Sequence, residues 1–194
     1  MQELRIQQHF IDSADLYYQL SETLAKPVDA AVQALLASVT GGGKVLVVGA
    51  GASVVLAQYF CSLLVGGFER ERPGLPAMGL GTDAVCASAT SHEEGVARQV
   101  HALGQAGDVL VVIAASGDAP SLAQAVAAAH DREMTVLAIS GGTDGAMAKL
   151  LRETDVHVNV PHERPAQVRE VQLLVLHCLC DGIDAQLLGE QEPM

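Results

Sequence analysis

The sequence predicts an α/β fold, a three-layer sandwich around a five-stranded parallel sheet, and three observations carry the prediction. Five short apolar runs recur at fairly even spacing beyond residue 43, Ala-rich helical stretches separate several of them, and two glycine-rich turns lead from such runs into helices. Runs that are apolar on both faces and alternate with helices describe parallel strands covered on both sides.

Taken in order, residues 4–25 place Ile6, Phe10, Ala14, Tyr17 or Tyr18, and Leu24 at three- and four-residue steps, an amphipathic helical pattern. Pro27 marks a break, and residues 28–39 resume the pattern until Gly41, Gly42 and Gly43 stop it, which predicts an N-terminal helical hairpin. The predicted strands are residues 44–49, 75–80, 108–115, 134–140 and 155–160. Helices are predicted over 53–65, 96–105 and 121–132. Residues 166–188 form a last helix, apolar around most of its circumference, and such a helix needs protein on every side. The expected organisation is therefore residues 1–40 as helices for oligomerisation and 41–194 as one structural unit, with a homo-oligomer, a tetramer, as the assembly.

Composition narrows the function. A chain of 194 residues, 49% hydrophobic and 18% charged, holds enough apolar mass for one well-buried domain. Lys and Arg number 11 against 23 Asp and Glu, and the resulting net charge of -12 has the wrong sign for direct nucleic-acid binding. The longest apolar run, 45–60, is interrupted by Gly49, Gly51, Ser53 and Gln58, so no membrane span is expected. The polar start at Met1 lacks the pattern of a signal peptide, and a cytoplasmic protein is expected. Cys61, Cys86, Cys178 and Cys180 show no metal-ligand spacing, which predicts buried, reduced thiols and no zinc site. His92 falls in a predicted exposed loop without a second ligand nearby.

The two turns are the candidate chemistry. Gly49-Ala50-Gly51-Ala52-Ser53 follows the first strand, and Ala114-Ala115-Ser116-Gly117-Asp118-Ala119-Pro120-Ser121 follows the third. Small residues at a helix start let an anion approach backbone N–H groups, and two such turns at the carboxyl ends of parallel strands make a ligand crevice.

These turns, together with Arg70-Glu71-Arg72-Pro73-Gly74-Leu75-Pro76-Ala77, Gly107-Asp108-Val109-Leu110 and the ending from Arg169-Glu170 to Cys180-Asp181-Gly182-Ile183-Asp184, resemble a SIS (sugar isomerase) domain of flavodoxin-like architecture. Within that family the chain is similar to the phosphoheptose (sedoheptulose 7-phosphate) isomerases and to the DnaA initiator-associating protein DiaA. The resemblance implies an isomerase site of His and Glu four apart on the helix after the first turn, with Gln and His from the last helix. The matching positions here hold Tyr59, Leu63, Arg169 and His177. Leu63 cannot transfer a proton and Arg169 stays protonated. The expectation is a non-catalytic, DiaA-like regulator that binds the replication initiator as a homo-oligomer, with no cofactor and no metal. Phosphoheptose isomerase is the alternative. His177 is then the candidate catalytic residue, and Gly51, Ser53, Ser116, Gly117, Asp118, Ser121 and Arg169 are the candidate phosphosugar-binding residues.

Overall fold

A computed structural model describes residues 1–81, 92–116, 120–143 and 146–189, and side chains for all of these except 92, 93, 120 and 121. Five strands, β1 (Val45–Gly49), β2 (Ala77–Gly79), β3 (Val109–Ile113), β4 (Thr135–Gly141) and β5 (Val156–Val160), lie parallel in the order β2-β1-β3-β4-β5. The helices are α1 (Gln2–Thr40), α2 (Val54–Gly66), α3 (His92–Leu103), α4 (Pro120–Asp131) and α5 (Pro165–Leu188). The predicted α/β three-layer sandwich is therefore present, with each strand inside its predicted run or within one residue of it.

The two-residue period of a strand sorts the side chains into two cores. Val45, Val47, Val109, Val111, Leu137, Ile139 and Val158 face one way, onto α1, α2 and α5. Leu46, Val48, Leu110, Val112, Val136 and Ala138 face the other, onto α3 and α4. Every residue of β1 and β3 is buried, as expected for strands covered on both sides.

The N-terminal hairpin is corrected: α1 is one continuous helix of 39 residues with Pro27 inside it. Proline removes one intrahelical hydrogen bond and disfavours helix by about 3 kcal/mol. Packing outweighs that local cost, because Leu16 and Leu20 before Pro27, and Ala31, Val32 and Leu35 after it, are buried in the same core. Gly182 of α5 helps, since a Cβ there would lie 2.8 Å from Val32 Cγ2. The first turns of α1 carry no such load: Leu4, Ile6, Phe10 and Ile11 are exposed.

Helix α5 has the length and composition of a membrane-crossing segment. The fold accounts for much of that composition, because Val168, Val171, Val175, Leu176, Leu179 and Ile183 pack into the core. Leu173, Leu174, Leu187 and Leu188 remain exposed. The thiols also divide: Cys178 and Cys180, two apart on α5, diverge as expected, but only Cys180 is buried, Cys61 is half-buried and Cys178 is exposed. Cys86 lies outside the described residues. His92, expected in a loop, opens α3 instead.

Polar groups inside the sheet are paired. Asp108 accepts from Lys44 N, Lys44 Nζ and Gln105 N at the amino edge. Asp155 accepts from Val136 N and Arg152 N and lies 2.7 Å from His130 Nε2. On β4 and β5, Ser140 Oγ donates to Asn159 Oδ1, which leaves His157 Nε2–H to donate to Ser140 at 2.7 Å.

Burial holds the His157 imidazole below its ordinary value of 6.5. As pH falls below 6.5 the unfolded chain therefore takes up a proton that the folded chain refuses, so this contribution to stability is whole above 6.5 and declines beneath it. Urea unfolding between about pH 7.5 and about pH 5.5 should show a steeper loss of stability in the wild type than in His157→Gln. Equal slopes would show that His157 does not titrate on unfolding.

Candidate active site

Strand order reverses between β1 and β3, the switch point where open α/β sheets form a crevice beyond the strand ends. Gly49 lies opposite Ile113, so the turns following β1 and β3 are neighbours. Gly49 makes the first turn possible. A Cβ at Gly49 would sit 2.3 Å from Ser53 O, and only a residue without one lets the chain double back from strand into helix so tightly. Gly51 adopts φ +55, in the left-handed region, and opens a single 3₁₀ turn that ends at Ser53. Ser53 is fully buried, and its Oγ has no hydrogen-bond partner among the described residues. This leaves a spare hydroxyl at the amino end of α2, where Ser53 N–H is taken by Ala50 O and Val54 N–H by Gly51 O of the preceding turn.

The second turn is described in part. Ala114 N donates to Ile139 O, extending the ladder past β3, and the exposed Ser116 follows. Ser121 lies in the first turn of α4, while Gly117 and Asp118 fall outside the described residues.

Helix α5 reaches the same edge of the sheet through a residue the sequence did not single out. Gln172, fully buried, donates from Nε2 to Ala114 O at 2.8 Å and to Ile139 O at 3.2 Å. Its only outward sign in the sequence is a polar residue at a sheet-facing position of an apolar helix. Gly141 allows the approach, since a Cβ there would strike Val168 Cγ1 at 2.4 Å and Ala115 O at 2.6 Å. Arg169, one turn before Gln172, is half-buried. Its Nη1 lies 3.4 Å from Pro165 O, and its Nε is buried without a partner among the described residues.

His177 comes two turns further along α5 and meets α2. Its Nε2 lies 2.9 Å from Tyr59 Oη, and Phe68 stacks on the ring at 5.4 Å with planes 24° apart. A hydroxyl and an imidazole at this distance can exchange one proton. Leu63, one turn after Tyr59, packs against the core and brings no polar atom from its side chain. Of the four positions only His177 carries a side chain that binds metals readily, and no group of three His, Cys, Asp or Glu converges among the described residues. The nearby thiols stay protonated at neutral pH, for burial raises Cys61 to about 11 and, reinforced by Asp184 and opposed by Arg72, raises Cys180 to about 12.

The SIS domain profile matches residues 8–141, more than half of the chain. The chain belongs to the SIS domain family. It is 52% identical to a phosphoheptose isomerase from Methylibium petroleiphilum, with 99% of this chain and 98% of that protein aligned. Among solved structures, the phosphoheptose isomerase GmhA from Neisseria gonorrhoeae superposes with a TM-score of 0.88 at 35% identity, covering 95% of this chain and 100% of that one. A phosphoheptose isomerase from Francisella tularensis gives 0.89 at 37% identity, covering 95% and 98%. These relatives correct the expectation of a non-catalytic, DiaA-like regulator, because they bear an enzyme's name along the whole SIS chain and lend no support to a replication-initiator partner. At the matching positions Leu63 brings no carboxylate, but Tyr59 Oη stands within hydrogen-bond reach of His177 Nε2.

Gly49→Ala should destabilise the SIS fold by about 1 to 3 kcal/mol, the usual cost of forcing a methyl group into closed packing. Denaturant unfolding measures it, and a change below about 0.5 kcal/mol would show that the turn relaxes freely.

Proposed function

We propose that the chain is a sugar-phosphate isomerase of the phosphoheptose type, interconverting sedoheptulose 7-phosphate and its aldose, and that it works in the cytoplasm as a homo-oligomer. The supporting observation is 52% identity over 99% of the chain to a phosphoheptose isomerase. The Tyr59–His177 contact supplies groups able to do the chemistry.

In this proposal the phosphate lies over the first turn, held by the spare hydroxyl of Ser53 and by Ser116, with Gly51 allowing close approach. Tyr59 stands six residues beyond Ser53, about 9 Å along α2, so the reacting end of an extended sugar lies toward His177. His177 removes a proton from C1 of the ketose, and the electron pair forms the C1–C2 double bond while Tyr59 gives its proton to the C2 oxygen. The enediol then returns its C1 hydroxyl proton to Tyr59, C1 becomes the carbonyl carbon, and His177 delivers its proton to C2. Both side chains end as they began. Leu63 moves no proton, and Arg169 offers a permanent positive charge to the phosphate or to oxygen charge developing on the sugar.

Oligomerisation has its own support. Helix α1 is about 58 Å long, and its exposed Leu4, Ile6, Phe10 and Ile11, with Leu173 and Leu174 of α5, leave apolar surface that a second copy would cover.

Purified protein should isomerise sedoheptulose 7-phosphate. His177→Ala should abolish turnover, Tyr59→Phe should lower kcat about 10²- to 10⁴-fold, and Ser53→Ala should act chiefly on KM. No turnover by the wild type beside an active control isomerase would overturn the proposal.

Leu174, 44% exposed, tests the assembly where the fully buried Leu176 would test only the fold. Leu174→Asp should sediment as a smaller species with its helical content intact, and a wild-type monomer at micromolar concentration would refute the oligomer.

A further inference from the structure

We infer that the segment 67–76 is a clamp that sets the Tyr59–His177 contact, with the buried Arg72–Asp184 pair as its fixed point. The kinetic part of this inference rests on the isomerase proposal above, and the geometric part does not. Arg72 joins two helices. Its Nε donates to Asp184 Oδ1 on α5, while Nη1 donates to Leu64 O at 2.7 Å and Nη2 to Leu63 O at 3.0 Å, near the carboxyl end of α2. Both side chains of the pair are 1% exposed. An unscreened guanidinium with a planar fork holds its partners in a defined geometry, which a lysine's single ammonium does not reproduce.

The same segment also touches His177 directly and braces the end of its helix. Phe68 stacks on its ring. Arg70 Nη1 donates to Asp184 O and Gly189 O, tying down the end of α5. Leu63 stands one helical turn from Tyr59, and Asp184 stands two turns from His177, so the Arg72 bridge and the Tyr59–His177 contact are successive links between the same two helices. The backbone of the clamp is itself held in an uncommon shape. Glu69 has φ 43, in the left-handed region for a residue with a Cβ, and such a conformation persists where the surroundings over-determine it. Gly74 closes the segment against α2, for a Cβ there would lie 2.6 Å from Val65 O. Arg72 and Asp184 are thus positioning residues that act through Tyr59 and His177.

The test compares Arg72→Lys and the paired replacement Arg72→Met with Asp184→Leu, using Tyr59→Phe as the reference for a lost contact. The paired replacement guards against unfolding, because an apolar substitute for a buried ion pair is often tolerated while a lone buried charge is not. The readout is the ¹⁵N resonance of His177 Nε2 in the histidine-ring spectrum, assigned with His177→Asn, alongside kcat and KM. We expect both variants to move that resonance toward its Tyr59→Phe position and to lower kcat about 10- to 100-fold, with KM within about twofold, as for a misplacement near 1 Å. A melting temperature that falls while the His177 resonance and kcat stay at wild-type values would overturn the inference and leave a purely structural ion pair. Should the wild type show no turnover, the isomerase proposal fails and the His177 resonance alone decides the clamp.

Discussion

Burial of the parallel sheet on both faces is the constraint from which the rest follows. Val45, Leu46 and Val47 of β1 and Leu110 to Ile113 of β3 are wholly inaccessible, so these strands have no room for a side chain that does chemistry. Their backbone groups are satisfied sideways by the ladder, and the polar ends of that ladder are where other groups can enter. Gln172 exploits this. By bonding the carbonyls of Ala114 and Ile139 it docks α5 at the carboxyl edge, and the same helix then carries Arg169 before that anchor and His177 after it. Strand order sets the turns after β1 and β3 side by side, and one buried amide brings a third element to the same edge.

Much of this was legible in the sequence, and the reason is local. Strands apolar on both faces, helices between them and glycines at the turns each follow from a few adjacent residues, which is why β1 and β3 fall inside their predicted runs and why Gly49 and Gly51 stand in the tight turn after β1. Pro27 shows where local rules stop. Its penalty is real, yet Leu20 on one side and Val32 on the other belong to a single buried core, and their shared packing keeps one helix where a break was expected. Helix α3 makes the complementary point, since His92 and the residues after it look like a polar loop until the helix is placed.

The site was legible only where its residues were near each other in the chain. Arg72 and Asp184 are 112 positions apart, Tyr59 and His177 are 118, and no spacing rule connects them. Comparing position with position therefore counted Tyr59 as a lost histidine. In space it is the hydroxyl that His177 touches. That difference is also why the four matching positions, read singly, undercount what surrounds His177: Leu63 removes a carboxylate from the pattern, while Tyr59 brings a hydroxyl to the ring and Phe68 stacks on it.

The replacements also change the electrostatics in a consistent direction. With Leu63 where the resemblance implies a glutamate, and Arg169 where it implies a neutral amide, two of the four positions have become more positive. The chain as a whole carries -12, which at distances beyond about 10 Å opposes an approaching sugar phosphate but is largely screened at physiological ionic strength. Long-range steering therefore contributes little to capture. On the proposed reading, attraction comes from short-range groups: the spare hydroxyl of Ser53 and a guanidinium that finds only a weak carbonyl partner within the described fold. An anion bound in that way, as proposed, is held by directed hydrogen bonds more than by net charge, so the geometry of the turn that Gly49 permits matters more to the proposed binding than the overall charge of the protein.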